Sequence, residues 1–130
     1  MEVNARIYVF ITLTIFSSYA NAGIRTAEIA DVYVADFSST APENCRPSDV
    51  DLNHSEAKQF FVRSKQVELK IIHDYYNYAP CSIEGTLKYK SKQCNWEIRA
   101  GATGHIVCGK KIWHFVCDTC GDLFKAKELH

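Results

Sequence analysis

Residues 82–120 read SIEGTLKYKSKQCNWEIRAGATGHIVCGKKIWHFVCDTC, and their alternation decides the fold. Ser82 to Tyr89 sets Ile83, Leu87 and Tyr89 on one face, with Gly85 between them. Gln93 to Ala100 sets Cys94, Trp96, Ile98 and Ala100 on one face, with Asn95, Glu97 and Arg99 on the other. Gly104 to Cys108 and Ile112 to Cys117 repeat the pattern. Period-two alternation broken by short turns at 90–92, 101–103 and 109–111 predicts four antiparallel strands joined by hairpins.

Two geometrical expectations follow. A hairpin turning at Gly101 puts Cys94 opposite Cys108, and opposed residues of a non-hydrogen-bonded pair lie close enough for a disulfide. In a meander the first and third turns also fall at one end of the sheet. Lys88, Lys90, Lys92, Lys110 and Lys111 should therefore cluster, although they never form one run in the sequence.

Upstream, Asn53 is a good N-cap, Glu56 is its capping-box partner, and Leu52 can staple against Ala57. Ala57, Phe60, Phe61, Ser64 and Val67 recur at helical spacing, predicting a helix over 54–67 that lays two phenylalanines on the sheet. Beyond it, residues 67–71 alternate like a strand. Ile29 to Phe37 reads as a strand or extended arm. Residues 38–50 read as a surface connection pinned by Cys45, and Leu123 and Phe124 suggest one closing helical turn. The fold class expected is α+β: one N-terminal helix packed on a four- to five-stranded antiparallel meander, stapled by disulfides.

The chain of 130 residues opens on a polar start, then the apolar run from Ile7 to Phe16, then small residues ending Ala20-Asn21-Ala22. That layout predicts a signal peptide over 1–22, cleaved before Gly23 and too short to span a bilayer. Residues 23–130 then form a single small domain of an exported, periplasmic or secreted protein with no stable membrane insertion. Lys plus Arg and Asp plus Glu number 15 each, so no global field draws the chain to nucleic acid.

Six cysteines, Cys45, Cys81, Cys94, Cys108, Cys117 and Cys120, form an even set, which in an exported small domain reads as a disulfide framework with fifteen connectivities. Cys117-Asp118-Thr119-Cys120 could hold a redox dithiol, but too little chain follows it for a thioredoxin-like βαβ unit, and Asp118 opposes thiolate formation. A zinc site would need a second cysteine knuckle that the chain lacks. His73 and Asp74 with Cys81 suggest a Cys–His hydrolase only if Cys81 is reduced. His105, His114 and His130 show no ligand spacing. Asn53-His54-Ser55 matches a glycosylation sequon, which a bacterial exported protein would ignore. No catalytic residue, cofactor or metal is therefore expected.

The remaining candidates are binding residues. Arg99, Gly101, Thr103 and Gly104 form a hairpin loop that flanking strands and a Cys94–Cys108 staple would preorganise, with Arg99 as anchor. Lys90, Lys92, Lys110 and Lys111 form a basic end suited to an acidic protein surface or an anionic polymer. The function expected is an exported non-enzymatic binding protein of the inhibitor or immunity type that blocks another protein through its braced hairpin loop. The alternatives are a thiol–disulfide protein using the CDTC motif, and an accessory component of a cell-envelope assembly using the aromatic loop from Tyr75 to Tyr78.

Overall fold

The computed structural model describes residues 23–76 and 79–125; the expected signal peptide, Asn77, Tyr78 and His130 lie outside them. The chain runs through strand β1 (Ile29–Ser39), helix α1 (His54–Arg63), strand β2 (Lys65–Val67), helix α2 (Leu69–Tyr75), strands β3 (Cys81–Tyr89), β4 (Lys92–Arg99), β5 (Thr103–Cys108) and β6 (Lys111–Val116), and helix α3 (Gly121–Lys125). The class is α+β, and the strands form one antiparallel sheet in the order β1-β3-β4-β5-β6-β2.

Two features of the expected architecture need correction. The sheet has six strands, because β1 and β2 flank the meander. Among the described residues there are three α-helices: α3 falls where Leu123 and Phe124 suggest a closing turn, α2 was not expected, and α1 stops at Arg63 rather than Val67. Lys65–Val67 leaves α1 to pair with β6, with Val67 facing His114. The alternation over 67–71 then gives way to α2, because Leu69 and Ile72 stand one helical turn apart and Ile72 finds a buried site.

One face of the sheet carries the main core. Trp96 lies between Gly85 on β3 and Ile106 on β5 in the ladder. Asn53 caps α1 as its sequence predicts: its side chain accepts from the Glu56 N–H, and the Glu56 carboxylate accepts from the Asn53 N–H. The helix thereby presents fully buried Ala57, Phe60 and Phe61 to the sheet. Phe61 meets Trp96 and Phe115 edge-on at 5.8 and 5.2 Å, geometries that add to simple area burial. Phe60 packs over Gly104, where even a Cβ would come within 3.1 Å of its ring. Arg63 joins α1 to the C-terminal turn through the Asp122 carboxylate at 2.8 Å and the Thr119 carbonyl. On the opposite face, Ile72 of α2 is buried near Thr103, itself 2% exposed.

The hairpins use distinct turn chemistry. Lys90 and Ser91 both adopt positive φ (54° and 66°) between paired Tyr89 and Lys92, and Gly109 (φ 63°) opens the turn between Cys108 and Lys111. Arg99 and Thr103 close a three-residue loop whose left-handed position is held by Ala102 at φ 63°. A left-handed alanine costs ~1–2 kcal/mol in Cβ strain that glycine escapes, partly offset by glycine's larger unfolded-state entropy. Ala102→Gly is therefore expected to raise stability by about 0.5–1 kcal/mol, read as a higher denaturant midpoint at unchanged slope.

Candidate functional site

The end of the sheet that carries the Ala100–Ala102 turn is where most of the covalent bracing converges. Beside the β3–β4 ladder, the Ala100 N–H donates to the Cys81 carbonyl at 3.1 Å. On the other flank, the Cys117 N–H donates to the Ala102 carbonyl at 3.0 Å. Cys81 is bonded to Cys45, and Cys117 to Cys120. Two disulfides thus stand one on each side of the turn. The third, Cys94–Cys108, crosses β4 and β5 farther along with a Cα separation of 4.6 Å, as the register of that hairpin dictates.

More chain is gathered at this end by hydrogen bonds. The Thr40 N–H donates to the Pro80 carbonyl at 3.0 Å, and the Ser39 hydroxyl donates to the Cys45 carbonyl at 2.9 Å. Arg99 Nη1 donates to the Ala79 carbonyl at 2.7 Å, and Arg99 Nε lies 3.5 Å from Glu97 Oε1. These ties surround a notch of about 570 Å³, lined by Asn44, Cys45, Asp49, Ala79, Pro80, Ala100 and Gly101.

Of the four residues expected in a docking loop, only Gly101 lines that notch. The Arg99 side chain is 19% exposed and serves as an internal clamp on Ala79. Thr103 is buried, and Gly104 sits against the Glu97 carbonyl and Phe60. The turn residues Ala100, Gly101 and Ala102 are half-buried, with neighbouring segments beside them. Sequence counts the turn residues correctly, but it gives no sign that Ala79-Pro80 and the Cys45 segment line a notch with them.

Lys88, Lys90, Lys92, Lys110 and Lys111 are all exposed at the opposite end. The two turns they flank are adjacent: Lys92 Nζ lies 3.4 Å from where a Cβ on Gly109 would be. Of the CDTC motif, Cys117 is 5% and Cys120 0% exposed, which leaves little sulfur surface for an attacking thiolate. Asp118 turns outward, accepting from the Tyr76 hydroxyl at 2.9 Å and pairing with Lys65 at 3.3 Å. Those two contacts, Tyr76 first, hold its carboxyl below the ordinary range. Tyr75 of the expected aromatic interface is 74% exposed.

A further polar group lies on the sheet face that α2 partly covers, and sequence reading passed over it. Glu97 accepts from the Ser82 hydroxyl at 2.9 Å and stands 3.6 Å from His105 Nδ1. His105 in turn faces His114, ring centroids 6.1 Å apart. The signal was available: the register that opposes Cys94 and Cys108 also opposes Glu97 and His105. Burial pushes both imidazoles below their usual range; for His105 the Glu97 charge opposes this and Arg99 reinforces it, while for His114 the neighbouring His105 reinforces it.

A histidine with a lowered folded pKa is held neutral, so the unfolded chain takes up more protons in acid. Its stabilising contribution is full above the unfolded value near ~6.5 and is lost as pH falls through the lower folded value. Stability should therefore decline as pH drops from about 7 toward about 5, and the double variant His105→Gln, His114→Gln should flatten that interval of the denaturation profile.

Three disulfides fit a protein that folds in an oxidising compartment, and among the described residues no helix is long and apolar enough to cross a membrane. No protein-family model, curated protein or solved structure matches the chain.

Proposed function

We propose that this chain is an exported, periplasmic or secreted, non-enzymatic binding protein of the inhibitor or immunity type, and that its notch receives a projecting group of another protein. The observation that carries this reading is the pair of disulfides flanking the Ala100–Ala102 turn. A surface already fixed by covalent ties loses little conformational freedom when a partner docks, so more of the contact energy appears as affinity. The small side chains Ala79, Ala100 and Gly101 leave the notch open to a partner's bulkier residue. The partner is a protein, because the charge balance favours neither nucleic acid nor lipid.

The test uses exported proteins encoded beside this chain's own gene, each measured against it by titration calorimetry. One of them should bind, and Gly101→Arg or Asn44→Arg, which fill the notch, should weaken that binding at least ~100-fold, or about 2.7 kcal/mol. Lys110→Glu should leave it unchanged. A partner that binds both notch variants as tightly as the wild-type chain would place the interface elsewhere and refute the reading.

A further inference from the structure

The sheet ends unevenly at β6. Its partner β2 pairs only Lys65–Val67 with Val116–His114 and then turns into α2. The outer edge of β6 from Lys111 to Trp113 therefore has no strand beside it among the described residues. An open edge of this kind presents main-chain donors and acceptors that pair readily with an added strand. In the hairpin register Lys111 and Trp113 direct their main-chain groups toward β5, so those of Ile112 face outward.

Beside that edge lies a cleft of about 660 Å³ between β6 and the junction of β2 with α2. Its apolar walls are unusually exposed: Leu69 is 55% and Ile112 49% accessible. Val67, paired with His114, lies on the same face as Ile112, whereas Trp113 borders the cleft from the other face, where it packs on Tyr89. Charge at the mouth is unequal. Lys111 lines the cleft and Lys110 precedes it, with Lys90 and Lys92 on the adjacent turn, against the single carboxylate of Glu68. His114 also lines the cleft.

We propose that this edge is a second docking surface, occupied by an extended segment of a partner protein that alternates apolar and acidic residues. Its backbone adds to β6 opposite Ile112, its apolar side chains enter the cleft between Leu69 and Ile112, and its carboxylates meet the lysine cluster. A second copy of this chain is the poorer occupant, because antiparallel pairing about the outward-facing Ile112 would set Lys110 opposite His114 and Lys111 opposite Trp113, bringing two copies of the lysine cluster to one seam. The inference is independent of the notch, which lies at the other end of the sheet.

The experiment uses the full exported chain and synthetic eight-residue peptides alternating Glu with Val, followed by fluorescence anisotropy. The Glu/Val peptide should bind, more weakly as salt rises, and at least tenfold more weakly to Ile112→Glu or Leu69→Glu. Both positions are exposed, so the variants should fold, which thermal melts verify. Methylating alternate backbone nitrogens of the peptide should abolish binding. Gly101→Arg should leave it unchanged, separating this surface from the notch. Equal binding of a Lys/Val peptide, of the N-methylated peptide or to Ile112→Glu would overturn the proposal. So would dimerisation of the chain, in sedimentation at the same concentrations, that Ile112→Glu abolishes.

Discussion

Replacing Gly85 with alanine should leave little or no folded protein. A Cβ at that position would lie 1.8 Å from the Tyr33 carbonyl oxygen and 2.8 Å from the Trp96 ring. The ring could rotate; the carbonyl cannot, because it belongs to the backbone of β1 where that strand crosses β3 between two irregularities. Relief would require lifting β1 off the sheet. That exceeds an ordinary overpacked core, for which ~1–3 kcal/mol is typical, and the expected loss is more than about 4 kcal/mol against a total of ~5–15. Soluble yield and a denaturant titration measure it. The double variant Gly85→Ala, Trp96→Phe separates the two clashes. Recovery of stability would mean that the indole is the obstacle, whereas none is expected, since the Tyr33 carbonyl remains.

The second large effect is expected from Cys45→Ser, Cys81→Ser. This bridge spans 36 residues of sequence, and loop-closure entropy for such a span gives about 4 kcal/mol, compared with about 3 for the 14-residue span of Cys94–Cys108. The difference is informative beyond its size. Cys94 and Cys108 are already opposed in a hairpin, whereas Cys45 lies in an irregular segment between Thr40, bonded to the Pro80 carbonyl, and the buried Val50. Removing the bridge should therefore loosen the chain between those two anchors and open one wall of the notch, lowering partner affinity together with stability. Cys94→Ser, Cys108→Ser should lower stability with little effect on partner affinity. Hydrogen exchange on the two double variants would show whether the loss of protection is confined to the 40–50 segment in the first.

Local information carried the meander into view. The strands β3 to β6 are linked by turns of two or three residues, so their register follows from counting outward from Gly101 or Gly109, and the Cys94–Cys108 pairing follows with it. The flanking strands were harder to read for a physical reason. β1 pairs with β3 across roughly fifty residues of chain, and irregularities around Asp31 and Ala35 break the alternation by which a strand is recognised. The segment 67–71 fits both periods, and only the buried site for Ile72 on the far face of the sheet decides for a helix.

The candidate site was legible to the same extent. Turn counting placed Gly101 at a hairpin tip and the lysines at the opposite end. It gave no warning that Arg99 would spend its guanidinium on Ala79, or that Thr103 would be covered by α2. Those facts depend on how distant segments fold back over the loop, and no local spacing encodes them.

The far edge of the sheet carries one more consequence. The Val34 N–H on β1, which would otherwise face solvent, donates to His54 Nδ1 at 2.9 Å, and Tyr33 stacks on the same imidazole. With two irregularities in addition, β1 is a poor template for another strand. Open-ended growth of a sheet requires two receptive borders, one to give and one to take. Among the described residues this sheet offers at most one, so the association proposed at β6 should stop after a single addition. His54, at the opposite border, would then cap the stoichiometry, and the chain could hold one guest strand without becoming the seed of a fibre.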